Sequence, residues 1–533
     1  MEIDCIRFKN TGFFSNLICD YIEENPRLKP FYNRFPSIEH FKAQLEEKAK
    51  QFPEANRTVL YDALTIQYAN TATTKKTTDN LNHLKTNTTF TVVTGHQLNL
   101  FTGPLYFLYK IVSTINLTVA LKKNYPKYNF VPVYWMATED HDFDEINYFN
   151  FKGKKLQWNT PAGGAVGHLE TSDLDKVFEA LSLEIGNSTN AQTLKTLFEK
   201  AYLEHKTLTG ATRFLANELF GEYGLVIVDG DDAALKKLLV PFVKKDVLNK
   251  LGFEKVSDTI SDLVELEANY GIQVNPREIN YFYLKEGMRE RIIEEDGSFY
   301  VNETAIVFTK GQLLVELENH PERFSPNVIA RPLYQEVILP NLCYIGGGGE
   351  IAYWLELKEM FKAMQVPFPM LLLRNSALVI SKKQGGKLKK LQLSAENLFL
   401  EQHSLINKKI RDISNIDIDF SPQKQHLEEQ FSSLYEIAEK TDKSFLRAVK
   451  AQEVKQKKGL DNLEKRLLKA QKRKLKDHVV RITELQNELF PNQSLQERTQ
   501  NFSELYLELG EELIPMLIKN LKPLQMQFAI LKY

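Results

Sequence analysis

The sequence predicts an α/β protein with a parallel-sheet core and a long helical arm, and three observations carry that prediction. Between about Phe90 and Ile380, short apolar runs rich in β-branched residues alternate with helical patterns and glycine-marked turns. Several of these runs are continuous enough to be buried on both faces, as strands of a parallel sheet are. From about Leu388 to Leu489 the pattern changes: Pro422 and Gly459 are the only proline and glycine, and apolar or small residues recur at 4-3 spacing.

The clearest strands are Phe90–Thr94, Phe130–Trp135, Leu225–Val228 and Pro369–Leu373. Three of them run straight into polar or glycine-containing segments, TGHQLNLFTGP, ATEDHDFDE and DGDD. Ligands of open α/β sheets bind outside the carboxyl ends of strands, so this convergence marks a candidate site. Residues 151–323 break into helices and small strands and read as material inserted between strands of the core. The predicted division is therefore 1–150 for the first part of the core, 151–323 for the insertions and a core strand, and 324–385 for the second part. A coiled-coil arm follows over 386–490, and 491–533 is a segment packing back on the core.

In the arm, Leu427, Phe431, Leu434, Ala438, Thr441, Phe445 and Ala448 form a heptad seam that resumes after Gly459 at Leu460, Leu463, Leu467 and Ala470. An antiparallel helical hairpin or a dimeric coiled coil satisfies this pattern. Arg447 to Arg481 holds 13 Lys and Arg against four acids, a local charge of +9. That suits either an anionic partner or a solvated face.

Composition excludes other classes. The 533 residues are 43% hydrophobic and 26% charged, too apolar for a disordered chain. Lys+Arg 68 against Asp+Glu 69 leaves a net charge of −1, so bulk charge gathers neither nucleic acid nor an anionic membrane. Nothing near the start resembles a signal peptide and no run of 18 apolar residues occurs, so a soluble cytoplasmic protein without a membrane partner is expected. The three cysteines, Cys5, Cys19 and Cys343, form no CxxC or Cys/His cluster, so no disulfide framework or structural metal is predicted. A buried structural role is expected of Cys343.

Three motifs can carry chemistry. In Thr94–Tyr106 a strand ends, a loop with His96 and Gln97 turns through Thr102 and Gly103, and a helix is expected to start near Pro104. Such a helix start favours a phosphate or carboxylate, although the same residues suit a tight turn. There is no GK[ST] and no GxGxxG. In Thr138–Glu145, the acids Glu139, Asp140, Asp142, Asp144 and Glu145 crowd around His141, an arrangement whose repulsion needs a compensating cation. The spacing matches neither HExxH nor an EF-hand loop, so no metal is assigned; a substrate amine with one carboxylate as general base fits, as does a solvated acidic loop. The third stretch combines Asn327, Arg331 and Gln335 with the glycines Gly346–Gly349, Glu350 and Tyr353. Gly347 and Gly348 let backbone approach a ligand or serve as a hinge, and Arg331 offers a forked donor to an anion.

Together these motifs resemble the bacillithiol biosynthesis cysteine-adding enzyme family. The resemblance rests on TGHQLNLFTGPLYFLYK, PVYWMATEDHDFDEIN, SPNVIARPLYQEVILPNLCYIGGGGEIAYW, the RNSALVI strand and the late FPNQSLQER, in the family's order. It implies a Rossmann-like core of nucleotidyltransferase type related to class I aminoacyl-tRNA synthetases, with connecting insertions and a coiled coil that mediates a homodimer. The implied reaction is amide formation between L-cysteine and the amine of glucosaminyl-malate. HIGH and KMSKS signatures are absent, Ile380-Ser381-Lys382-Lys383 being a faint echo of the second.

A carboxylate condenses with an amine in water only when activated, which implies ATP as co-substrate. On this expectation His96, Gln97 and the helix start hold the activating phosphate or the substrate carboxylate with Arg331 assisting. Glu139, Asp140 and His141 then bind the glucosamine part and deprotonate its amine. Thr102, Gly103, Asp142, Asp144, Asn327, Gln335, Gly347, Gly348, Glu350 and Tyr353 complete the expected substrate-binding set. The alternatives are a nucleotidyltransferase or RNA-modifying enzyme using the basic arm, although nucleic acid finds no support in the overall charge, and a non-catalytic coiled-coil scaffold.

Overall fold

The computed structural model describes residues 2–267 and 269–533. They divide into two compact units, one of Glu2–Leu378 with Gln496–Leu531, the other centred on Val379–Leu495.

The larger unit is built on five parallel strands: β1 (Thr89–His96), β2 (Asn129–Met136), β3 (Val226–Asp229), β4 (Asn341–Gly346) and β5 (Met370–Leu373), in spatial order β5-β4-β1-β2-β3. Every residue of β1, β4 and β5 is buried, which is why these segments read as unbroken apolar runs. Phe90, Val92, Leu342, Cys343, Ile345, Met370 and Leu372 share one core cluster with Phe41 and Leu117, and burial pushes the Cys343 thiol well above its usual range.

The four predicted strands are present as β1, β2, β3 and β5. The central strand β4 is the one that sequence reasoning missed: its six residues lie between Pro340 and the glycines and were absorbed into the glycine-rich turn. Its place beside β1 matters. From β1 the chain moves one way to β2 and β3 and later the other way to β4 and β5, so the loops leaving β1 and β4 diverge at a topological switch point. Registers Val93↔Tyr344 and His96↔Met136 set the C-terminal ends on one edge.

The inserted region supplies a second, antiparallel sheet with Phe324–Pro326, Tyr281–Lys285, Met288–Glu295, Ser298–Val301 and Val307–Thr309 as successive neighbours. Four helices position site residues: α1 (Tyr106–Asn124), α2 (Ala233–Asn249), α3 (Ala330–Ile338) and α4 (Gly348–Leu355).

In the smaller unit, α5 (Ser421–Ala438) and α6 (Lys443–Lys474) form an antiparallel hairpin. Lys424 pairs with Asp461 and Glu464, Glu428 with Lys457, and Tyr435 with Glu453, so the partners' separation along the chain narrows toward the turn. Phe431, Ala438 and Val449 are its buried core. The heptad seam is not continuous through Thr441, as the 4-3 spacing suggested. Asp442 accepts hydrogen bonds from the Ser444 and Phe445 N–H groups, capping a new helix and reversing the chain. Gly459 stays inside α6.

Candidate active site

At the C-terminal edge of the parallel sheet lies a cavity of about 720 Å³, lined by the ends of β1, β2 and β4, by α4's start and by the inserted antiparallel sheet. Its floor is tied together by one lysine. Lys110, in the buried second turn of α1, donates to the Gly95 carbonyl at 2.7 Å and pairs with Glu350 at 2.6 Å. Glu350 in turn accepts the Gly347 N–H at 2.8 Å and the Tyr344 hydroxyl at 2.6 Å. These bonds join the first turn of α4 to the end of β1 across the switch point. A Cβ at Gly95 would lie 3.3 Å from the Tyr344 hydroxyl, so a larger residue there would press on one of these bonds.

Above this floor His96 is buried, and its Nε2 has no hydrogen-bond partner among the described residues. Burial, with the charges of Lys110 and Arg374, holds its pKa well below the usual histidine range, so it is a neutral imidazole. Arg374 pairs with Glu497 at 2.8 Å and donates to Ser376, while its buried Nε lacks a partner.

The acidic loop after β2 is organised rather than merely solvated. Burial alone would raise Asp140, but hydrogen bonds from His141 and the Gln97 amide, with the Arg289 charge, hold it well below the ordinary carboxylate range. Gln97 also donates to Glu145. Arg289 places Nη1 at 2.7 Å from His141 Nδ1 and stacks on Phe282. A guanidinium can only donate, so His141 accepts at Nδ1 and carries its proton on Nε2. Glu139 is buried, which raises its pKa, with Asp231 adding to the rise and the Lys236 ammonium at 2.7 Å opposing it.

The opposite wall combines Arg277 and Arg291 of the inserted region with Asn327, Arg331 and Arg498 from later in the chain. Arg277, Arg291 and the exposed Arg498 line the cavity, and among the described residues no side-chain partner holds their guanidinium groups. Arg331 donates to Tyr353 at 3.3 Å and to Gln335 at 3.2 Å. Asn327 caps α3's approach by accepting the Ile329 and Ala330 N–H groups and bonds Asn280. Glu356, just after α4, accepts the Gln273 and Val274 N–H groups and so tethers the segment carrying Asn275 and Arg277; burial pushes its pKa up to about 7.

Eleven residues singled out in the sequence therefore line one cavity: His96, Gln97, Glu139, Asp140, His141, Asn327, Arg331, Gly347, Gly348, Glu350 and Tyr353. Five do not. Asp142 and Asp144 are exposed on the far part of the acidic loop, and Gln335 is fully buried beneath Arg331. Thr102 and Gly103 sit in a buried turn, with φ of 69° and 61°, whose carbonyls at Phe101 and Gly103 are held by Asn501. The expected anion site at Pro104 is not formed either: α1 starts at Tyr106, and the Leu105 N–H is already taken by the Gln500 carbonyl. Sequence reasoning missed Lys110, Arg289, Arg374, Arg498 and Lys236. A lysine inside the run YFLYKIV was the one local signal. No group of three or more potential metal ligands occurs among the described residues. No described helix is long and apolar enough to cross a membrane.

Comparison with known proteins covers both units. Residues 1–375 match the family model described as the N-terminal Rossmann-like domain of bacillithiol biosynthesis BshC, and 377–533 match its C-terminal coiled-coil domain. Proteins named "Putative cysteine ligase BshC" from Christiangramia forsetii and Flavobacterium johnsoniae are 59% and 58% identical, with alignments spanning 100% of this chain and 99% and 100% of theirs. One of the same name from Cytophaga hutchinsonii is 36% identical over 98% of this chain and 97% of its own. With a Rossmann-like unit, a helical arm and relatives alike along their whole length, the chain belongs to the bacillithiol biosynthesis BshC family and is a ligase.

Proposed function

We propose that this chain joins the carboxyl group of L-cysteine to the amine of glucosaminyl-malate, with ATP as the activating co-substrate. The observation that carries this reading is one cavity that sets unpaired guanidinium groups on one wall against ordered carboxylates on another. Arg277, Arg291 and Arg498 suit a ligand with several negative charges, as malate and a triphosphate both are. The unpartnered Nε2 of His96 and Nε of Arg374 are buried polar atoms whose desolvation a bound group would relieve, so the donor set fits a phosphate. ATP, when bound, supplies the activation that makes the cysteine carboxyl electrophilic.

The chain's own residues do the rest. Asp140, kept anionic, holds the substrate ammonium, and His141 presents its Nε2 proton to a hydroxyl or carboxylate oxygen. Glu139, with its raised pKa, takes the amine proton onto a carboxylate oxygen and frees the nitrogen lone pair for attack. Purified protein given cysteine and glucosaminyl-malate is expected to form product, followed by mass spectrometry, only when ATP is added, and H96A and D140A are expected to form none while remaining folded. Product without ATP overturns the activation step, and no product under any condition overturns the reaction.

We also infer that two copies pair through the arm. Leu434 and Ile437 on α5 and Phe445, Leu446, Val454 and Leu463 on α6 are 38–58% exposed, apolar side chains that the hairpin itself leaves uncovered. Light scattering is expected to give the mass of two chains for the wild type and of one for I437E/V454E; a two-chain mass in the variant removes this assignment.

A further inference from the structure

Glu139 lines the cavity, but the ammonium that holds it does not. Lys236, on the first turn of α2, has a side chain 1% exposed and sets its Nζ beside three oxygens: Glu139 Oε1 at 2.7 Å, Asp231 Oδ1 at 2.8 Å and the Glu322 carbonyl at 2.7 Å. Nζ donates hydrogen bonds to Asp231 and the Glu322 carbonyl, while Glu139 is held by charge alone, so the two carboxylates share one ammonium unequally. Asp231 extends the chain, its other oxygen lying 2.7 Å from His168 Nε2, and the His168 side chain is 58% exposed. A continuous path of ionisable groups therefore runs from the cavity wall to the surface. None of its members beyond Glu139 has a part in the chemistry described above.

Burying a lysine and two carboxylates carries a desolvation cost that their mutual pairing must offset. The backbone around the chain is arranged to keep its members aligned. The Gly167 N–H donates to the Thr138 carbonyl at 2.9 Å, the Val166 N–H to the Asp140 carbonyl at 2.7 Å, and the Asp231 N–H to Asp229 at 2.9 Å. Asp229 in turn accepts the Thr138 hydroxyl. The His168 turn, the acidic loop and the loop after β3 are thus locked in register by bonds independent of the ion chain itself.

We propose that Lys236 is a positioning residue that holds Glu139 ready as the proton acceptor, and that Asp231 and His168 set the strength of that hold from the surface. This rests on the reading of Glu139 as the base. The groups that face Glu139 are Lys236 and Asp231, Arg289 from the antiparallel sheet and Tyr334 from α3. Asp231 competes with Glu139 for the same ammonium. When His168 is protonated, its charge neutralises Asp231 and leaves more of Lys236 to Glu139. When it is neutral, Asp231 draws Lys236 away, and Glu139 protonates more readily. The hydrogen bond that His168 donates to Asp231 raises the His168 pKa above its usual value, so the charged form persists to higher pH than in a free histidine.

The test is the pH dependence of kcat/KM for product formation, with a thermodynamic arm that needs no activity. K236M is expected to lower kcat by about 30-fold or more, with a much smaller change in KM for glucosaminyl-malate, and to move the acid limb up by roughly one pH unit or more. H168Q, altered at an exposed site, is expected to move the acid limb the same way by a smaller amount. E139Q/K236M is expected to be no slower than E139Q, since a positioning residue has nothing to position once the carboxylate is gone. An acid limb unmoved in both K236M and H168Q overturns the proposal. Should the wild type form no product, the reaction reading fails by itself. The unfolding midpoints of wild type, E139Q, K236M and the double variant then decide the ion chain: non-additive shifts support it, and additive shifts overturn it.

Discussion

Replacing Lys110 with methionine is expected to reduce ligase activity by at least ~100-fold and to cost roughly 3 kcal/mol of folding stability at pH 8. The side chain is of similar length and apolar shape, so the loss is electrostatic. Lys110 is the cation in contact with Glu350, and without it the carboxylate beside the Gly347 N–H and the Tyr344 hydroxyl keeps only the more distant Arg331 charge. Burial opposes ionisation of Glu350, yet Lys110 and these hydrogen bonds bring its pKa below the usual value. A depressed carboxylate pKa stabilises the fold above the unfolded-state value and loses that contribution as the pH falls. In K110M the Glu350 pKa rises instead, so the stability deficit is largest at pH 8 and shrinks toward pH 5, where the carboxyl is protonated. K110M/E350Q should regain most of the stability and little of the activity, because the Gly95 carbonyl stays without its donor and the two loops at the switch point are no longer tied. Urea unfolding at the two pH values, with product formation on the same preparations, checks each part. Equal deficits at pH 5 and pH 8 would remove the electrostatic explanation.

The second large effect lies outside the cavity. Lys48 and Glu336 are both fully buried and paired at 2.8 Å, and the second oxygen of Glu336 accepts from Asn341 at 2.6 Å and Gln335 at 3.0 Å. K48M leaves that carboxylate buried and unpaired and is expected to destabilise the protein by about 3–5 kcal/mol. K48M/E336M, which removes both charges, should recover most of the loss, because the pair's mutual attraction does little more than offset its desolvation. A double variant as unstable as K48M would show that the side chains matter through shape and not through charge. The activity should fall with the stability, since Gln335 also accepts from Arg331 at the cavity wall.

These two lysines illustrate what the sequence leaves illegible. Strands β1, β2, β3 and β5 announce themselves because burial on both faces demands runs of apolar and β-branched residues, and the loops that follow carry their polar chemistry in consecutive positions. Glu139, Asp140 and Glu350 were therefore found. Their counter-ions were not, because Lys110, Arg289 and Lys236 come from a helix, an inserted strand and another helix, and nothing local couples them to the acids they hold. Strand β4 runs directly into the glycines, ending on Gly346, and pattern alone does not separate it from them. The break at Asp442 fails for a different reason: a helix pair that reverses within a few residues can keep its 4-3 spacing across the turn, so periodicity alone does not distinguish a bend from a straight seam. Thr102 and Gly103 share that failing, since a buried left-handed turn uses the same residue types as an exposed anion-binding one.

The position of β4 against β1 has a consequence for how such an enzyme can change. Two strands about 250 residues apart in the chain but adjacent in the sheet supply the cavity's floor, and the part of the wall that carries Arg277 and Arg291 is inserted between them. A change in the antiparallel sheet leaves the Lys110–Glu350 tie untouched, and reaches the hydrogen bonds of the acidic loop through Arg289, so the floor can be inherited while the wall varies as long as that arginine is kept.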